Sequence, residues 1–323
     1  MTRRLWLSVL SLTAIALVLA VVAVSTGTLS IPLAELVRFV AGNADRRTVF
    51  VLGELRLPRI GLALVVGAAL GAAGALFQSI TRNPLGSPDI VGFTSGAATG
   101  ALAAILLLPP GTLSAGAGAV AGGVVVAVVS LLLGGTGMRL ILIGIGQAAL
   151  LTSANAYLLT RADLTDAQNA AVWLVGSLNS RGSHLTTTAL AVAILLPVAA
   201  LCTRGLRVLE MGDDKAASLG VHPGRQRLLA IAAGVGLTAA GVAAAGPIAF
   251  VALAAPQLAR RTTRVASPLI LTSALFGAVL LLAADMPAQR ILAPQQIPVG
   301  AMTGFLGGIY LAFVLARRRT RRL

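Results

Sequence analysis

Apolar residues run along this chain in long blocks, and Gly, Pro and Arg stand between the blocks. The blocks predict helices at about 5–24, 60–79, 90–108, 114–134, 139–160, 185–203, 227–245, 247–259, 268–285 and 297–316. Most approach the ~20 residues that carry an α-helix across a ~30 Å hydrocarbon core. The eighth is short and opens on Gly246-Pro247, which predicts a broken or partial span packed inside protein. The first block, Leu5 to Val24, follows Arg3 and Arg4 as in a twin-arginine export signal. It spans a bilayer and more spans succeed it, so it reads as a retained first helix.

Between the blocks, two short segments carry helix signals. Ser30-Ile31-Pro32 opens an amphipathic stretch over about 30–42, with Leu33, Leu36, Val37 and Val40 on one face. That places it at the outer membrane interface. A second short helix is expected around Ala170 to Leu178, with Trp173 as an interfacial anchor. Gly67 to Gly74 (GAALGAAG) and Gly234 to Gly241 (GVGLTAAG) share G-x-x-L-x-A-A-G, one in the second span and one in the seventh. In a ten-span topology these two run in opposite directions, the arrangement of an inverted repeat. The same small residues also let transmembrane backbones approach closely.

Composition narrows the class. The chain has 323 residues, 57% hydrophobic and 11% charged, against about 25% charged in a soluble domain. It predicts an all-α polytopic membrane protein, a single transmembrane domain over 1–323, with about ten helices and an inverted repeat. The net charge of +15 lies between the apolar runs rather than on one soluble face, so nucleic acid is not the expected partner. With the N-terminus inside, 17 of the 25 basic residues fall in cytoplasmic segments, including the five arginines after Ala316. Five of the other eight share one long outer loop. The positive-inside rule therefore predicts a multi-pass plasma-membrane protein with both termini cytoplasmic.

Candidate chemistry is sparse. Cys202 is the single cysteine and has no ligand partner nearby in sequence, so it reads as a small apolar residue. Asp285, at the outer end of the ninth block, is the only carboxylate in a predicted span, and no span carries a mid-depth Lys, Arg or His. Ion-coupled carriers use intramembrane ionisable groups, which makes a secondary carrier the weaker reading. No P-loop surrounds Lys215 and no nucleophile and base stand together, so an enzyme is weaker still. The longest charged cytoplasmic segment, about 204–225, holds Gly212, then Asp213 and Asp214, then Gly220. Glycines at both ends and carboxylates at the start predict a short helix with a small Ala/Ser face.

Several motifs then occur in order: Arg56-Leu57-Pro58-Arg59, Gln78 through Arg82-Asn83-Pro84-Leu85-Gly86, the Leu209 to Val221 loop, Gly246-Pro247, Pro256-Gln257-Leu258-Ala259-Arg260, and Ile297-Pro298-Val299-Gly300. The ordered set resembles the permease subunits of ATP-binding-cassette importers for iron siderophores, haem and cobalamin. The resemblance implies a ten-helix subunit without a cofactor, with ATP and Mg on a cytoplasmic ATPase dimer and an external substrate-binding protein outside. It makes Met211, Gly212, Asp213, Asp214, Ala216, Ser218, Leu219 and Gly220 the ATPase-coupling residues. It makes Arg56, Arg59 and Arg290 the arginines that meet acidic residues of the binding protein, where anchoring in lipid headgroups is the alternative. Gln78, Asn83, Pro84, Leu85, Gly246, Pro256, Arg260, Pro298 and Gly300 are the family's structural positions. The resemblance implies a ferric siderophore as cargo, with cobalamin and haem open. Gln257 stands where the family commonly has His, Ala249 where it has Gly, and Gly308-Ile309-Tyr310 where it has Pro-x-Phe. These departures favour a heterodimer with a related permease over a homodimer.

Overall fold

The computed structural model describes residues 3–27, 31–109, 111–134, 138–265 and 268–319. Ser30 and the arginines at 321 and 322 lie outside them. All regular structure among the described residues is helical. Helix α1 (Arg3–Ser25) leads to two short helices, α2 (Leu33–Val40) and α3 (Arg46–Phe50). α4 (Leu57–Ile80), α5 (Phe93–Leu106), α6 (Ala115–Gly134) and α7 (Met138–Arg161) follow. After α8 (Leu164–Val175) come α9 (Leu185–Leu209), α10 (Asp213–Ser218), α11 (Pro223–Ala245), α12 (Val251–Thr263), α13 (Ile270–Arg290) and α14 (Val299–Arg319). Seven described helices are long and apolar enough to cross a bilayer, and α5, α12 and α14 occupy the places of the remaining predicted spans.

α4 is the hub. It is buried along most of its length and packs against α13, α11, α12 and α9. Lipid is as apolar as Leu, so close backbone approach rather than apolar burial holds such helices together. Gly67 and Gly71 on α4 face Gly277 and Ser273 on α13 so tightly that a Cβ at any of the three glycines would overlap the opposite backbone. Gly74 is equally close to Ala252 on α12. The two copies of the sequence echo meet each other. Gly234 sits on the Phe77 ring, and Gly241 lies beside Leu70 and Val66, so α4 and α11 run antiparallel. In contrast, α1 buries only Leu12 among its residues, and α6, α7 and α9 leave Leu132, Leu150 and Leu201 bare, as helices facing hydrocarbon do. Cys202 is buried in the core as a small apolar residue.

The structure departs from the expected spans in three places. The second span does not start at residue 60: helix begins at Arg46, where the Asp45 carboxylate accepts from the Thr48 amide at 3.2 Å, and runs on to Ile80. Residues Val51–Arg56 form a π-turn in that run, which lets the chain pass Pro58 where an α-turn would clash with the carbonyl four residues back. The third span starts as helix only at Phe93, so α5 covers roughly 21 Å at 1.5 Å per residue. Non-helical residues up to Gly92 complete the crossing, with Gly92 seated against Gly144 and Ala148, well inside α7. Trp173 is not an interfacial anchor. It is buried against Ala97, Ala98 and Ala101, because α8 folds back over the end of α5. The amphipathic helix α2 forms as expected, and Val37 and Val40 are exposed with no protein covering them.

Candidate functional site

One end of the bundle is built around α10. Gly212 has φ +110° and Gly220 has φ +78°, values that a side-chain-bearing residue rarely adopts, so glycines delimit this helix on both sides. Ala216 is fully buried beneath it, and the chain closes with the Val221 amide donating to the Ala216 carbonyl at 2.9 Å. Met211 and Leu219 project outward, 58% and 62% exposed, with Asp214 and Ser218. Two large apolar side chains thus stand bare on a polar loop. Asp213 is half-exposed and is taken up by two arginines: its Oδ1 accepts from Arg227 of α11 at 2.7 Å and from the equally half-exposed Arg82, after α4, at 3.0 Å.

A second set of bonds ties α12 to the end of α4. Gln78 is buried, donates to the Leu253 carbonyl at 3.1 Å and accepts from Arg260. Gln257 donates to the Pro84 carbonyl at 3.1 Å, and Asn83 accepts from the Leu85 amide at 2.9 Å to close the turn. Glu210, next to α10, is pushed above the ordinary carboxylate range by burial, and Arg260, Arg207 and Arg82 pull it back down. Gly246 and Gly300 make a tight junction at the far end. The Gly300 amide donates to the Gly176 carbonyl at 3.0 Å, and Gly246 has φ +75° with no room for a Cβ against the Trp173 carbonyl. Pro256 sits inside α12, and Pro298 accepts from the Ala301 amide at the start of α14.

At the opposite end, Arg56, Arg59 and Arg290 line one cavity of about 530 Å³ with Thr26, Glu54, Gln289 and Gln296. They are not equivalent. Arg59 makes a two-pronged pair with Asp285, Nη2 to Oδ1 at 2.8 Å and Nε to Oδ2 at 2.9 Å. Its Nη1 donates to Gln296 at 2.7 Å, and Gln289 donates to Asp285 at 2.6 Å. Arg59 is 12% exposed and Asp285 1%, so this guanidinium is turned inward. Arg56 donates to the Val24 carbonyl and Arg290 to the Thr26 hydroxyl, both at the C-terminal end of α1. Among the described residues no three His, Cys, Asp or Glu side chains converge as metal ligands.

Residues 14–317 match the profile of the FecCD transport family. The chain belongs to this family. It is 42% identical over 99% of both chains to the ferric enterobactin transport system permease protein FepG of Escherichia coli. It is 39% identical to the Fe(3+) dicitrate permease FecD of the same organism, covering 86% of this chain and 88% of that one. To the iron(3+)-hydroxamate permease FhuG of Bacillus subtilis it is 37% identical, over 85% and 86%. The fold is also that of a metal-chelate type ABC transporter solved in an inward-facing conformation, with TM-score 0.84, 26% identity and coverage of 97% and 99%. This FecCD chain is a multi-pass membrane protein whose motif residues gather towards its two ends, α10 at one and Arg56, Arg59 and Arg290 at the other.

Sequence reasoning missed three polar residues of this FecCD chain. Arg82 stands in the Gln78 to Gly86 motif and Arg227 at the start of the seventh block, and neither position points along the chain to Asp213, 131 and 14 residues away. Asp89 was placed outside the spans, yet it stands in the non-helical part of the third crossing, where Oδ1 accepts from the Thr94 hydroxyl at 2.6 Å. The Gly92-Phe93 junction was the available signal, since glycine with φ +84° opens α5 there.

Proposed function

We propose that this chain is the permease subunit of an ATP-binding-cassette importer that moves ferric siderophores across the plasma membrane into the cytoplasm. The observation that carries the reading is the 42% identity, without large gaps in coverage, to a ferric enterobactin permease. Its partners in this reading are a cytoplasmic ATPase dimer that holds ATP and Mg, an external substrate-binding protein, and a second, related permease. Both termini are cytoplasmic, in keeping with the arginine distribution. The permease itself needs no cofactor and performs no hydrolysis.

In this mechanism α10 is the docking element. Met211 and Leu219 enter a groove of the ATPase, and closure of the ATPase pair on ATP pushes α10 and with it the helix ends it touches. Outside, Arg56 and Arg290 face the carboxylates of the binding protein, and the Asp285 pair orients Arg59 beside them. The direct test is a mild-detergent pull-down of the tagged chain from its native cells. Recovery of a P-loop ATPase with a second ten-span permease is the expected result. A chain that emerges alone would end the importer reading.

Two variants sharpen it. Met211→Glu with Leu219→Glu should reduce ATPase recovery at least tenfold while membrane insertion stays normal, because charges replace both apolar knobs. Full recovery of the ATPase would remove α10 as its seat. Arg56→Glu with Arg290→Glu should weaken capture of the binding protein, most at low salt where screening is least. Binding unchanged at low salt would leave these arginines as lipid anchors.

A further inference from the structure

We propose that Arg82 is a strut that carries the movement of the docking helix α10 into α4, the hub of the transmembrane bundle, through Asp213. The inference rests on the importer reading above and adds the link that reading lacks. α10 itself makes few contacts, to α9 and α11, and neither of those is the central helix. Arg82 bridges the gap from the α4 side. One of its guanidinium nitrogens, Nη2, donates both to the Leu209 carbonyl at 2.7 Å and to Asp213 Oδ1 at 3.0 Å. The same carboxylate oxygen accepts from Arg227 of α11 at 2.7 Å. Asp213, the first residue of α10, is thus held at once by Arg227 of α11 and by Arg82 in the turn that directly follows the hub.

The backbone supports a positioning role. Arg82 has φ +48°, a left-handed conformation that costs free energy in any residue with a Cβ and recurs where surroundings force a geometry on a functional residue. That turn directs the side chain away from the axis of α4 and toward α10. Its foundation is fixed on the other side: the Thr81 hydroxyl donates to the Phe77 carbonyl at 2.7 Å, and the Asn83 amide donates to the Gln78 carbonyl at 3.2 Å. Gln78 is in turn bonded to α12 through Leu253 and Arg260. A push on Asp213 therefore reaches α4, α11 and α12 through bonded neighbours.

The test uses the complete importer in vesicles, reading uptake of the ferric chelate and ATP hydrolysis on the same preparation. Arg82→Ala should lower chelate moved per ATP hydrolysed about tenfold, with the amount of assembled complex and its hydrolysis changed less than twofold. Asp213→Asn removes the acceptor of Arg82 and of Arg227 together, so it should lower the ratio at least as far, and the double variant should be no worse than Asp213→Asn alone. Arg82→Lys, which keeps the charge, should recover part of the ratio. Arg82→Gly relieves the left-handed backbone and so separates loss of the strut from loss of folding. If Arg82→Ala does not accumulate, Arg82→Gly and Asp213→Asn carry the same comparison. An unchanged ratio, or uptake and hydrolysis falling together with the amount of complex, or additive effects in the double variant, would overturn the proposal. Failure to find any ATPase activity in the unaltered complex would instead overturn the importer reading.

Discussion

Asp285→Ala is expected to lower the thermal unfolding temperature of the purified chain by on the order of 10 °C. The carboxylate is 1% exposed and is the two-pronged partner of an Arg59 that is itself 12% exposed. Removing one member of a buried pair strands the other, which costs about 3–5 kcal/mol. Gln296 reaches only Nη1 of the guanidinium, and both Nε and Nη2 lose their acceptor. The double change Arg59→Met with Asp285→Leu removes both charges and should return most of the loss, since apolar replacements of a buried pair are often neutral. The measurement is a thiol-reactive dye, because Cys202 is the single cysteine and is buried until the bundle opens. A double variant as unstable as the single would show that the pair does more than neutralise charge. An unshifted single variant would show that Arg59 reaches water without its partner.

The second large effect is steric. Gly67→Val or Gly277→Val should prevent accumulation of folded chain in the membrane, because each glycine faces the other's backbone at α4 and α13 with no space for a Cβ. Alanine at either position forces the helices apart by less and should cost about 1–3 kcal/mol, the usual range for overpacking. The two alanines together should cost less than their sum, because the first separation already makes room for the second. Gly224→Ala is the control. Nothing lies within 4 Å of a Cβ there, so it should be neutral or stabilise by about 0.5–1 kcal/mol through reduced chain entropy. Normal stability in Gly67→Val would mean that α4 and α13 can repack without their close contact.

The all-helical, polytopic character follows from the sequence itself, because the length of an uninterrupted apolar run is a one-dimensional quantity that a bilayer of fixed thickness reads directly. Gly212, Gly220 and the acidic pair between them marked α10 for the same reason: breaking and starting a helix are local events. Local signals also misled where a neighbour overrode them. Pro58 suggested a late start for the second span, but the π-turn before it lets helix continue from Arg46. The apolar run at 90–108 suggested a full-length third helix, but Gly92 docks on α7 and the chain enters that crossing unwound.

What the sequence alone determined is therefore the approximate set of crossings, the family motifs and the short helix α10. Which charges are free and which are spent was decided by tertiary structure. Arg59 and Asp285 are 226 residues apart and Arg82 and Asp213 are 131 apart. Nothing along the chain pairs them; folding α4 against α13, and α10 beneath the end of α4, does. Three arginines that look alike as cationic docking positions become different groups once folded, because only burial and the nearest acceptor set where each guanidinium points.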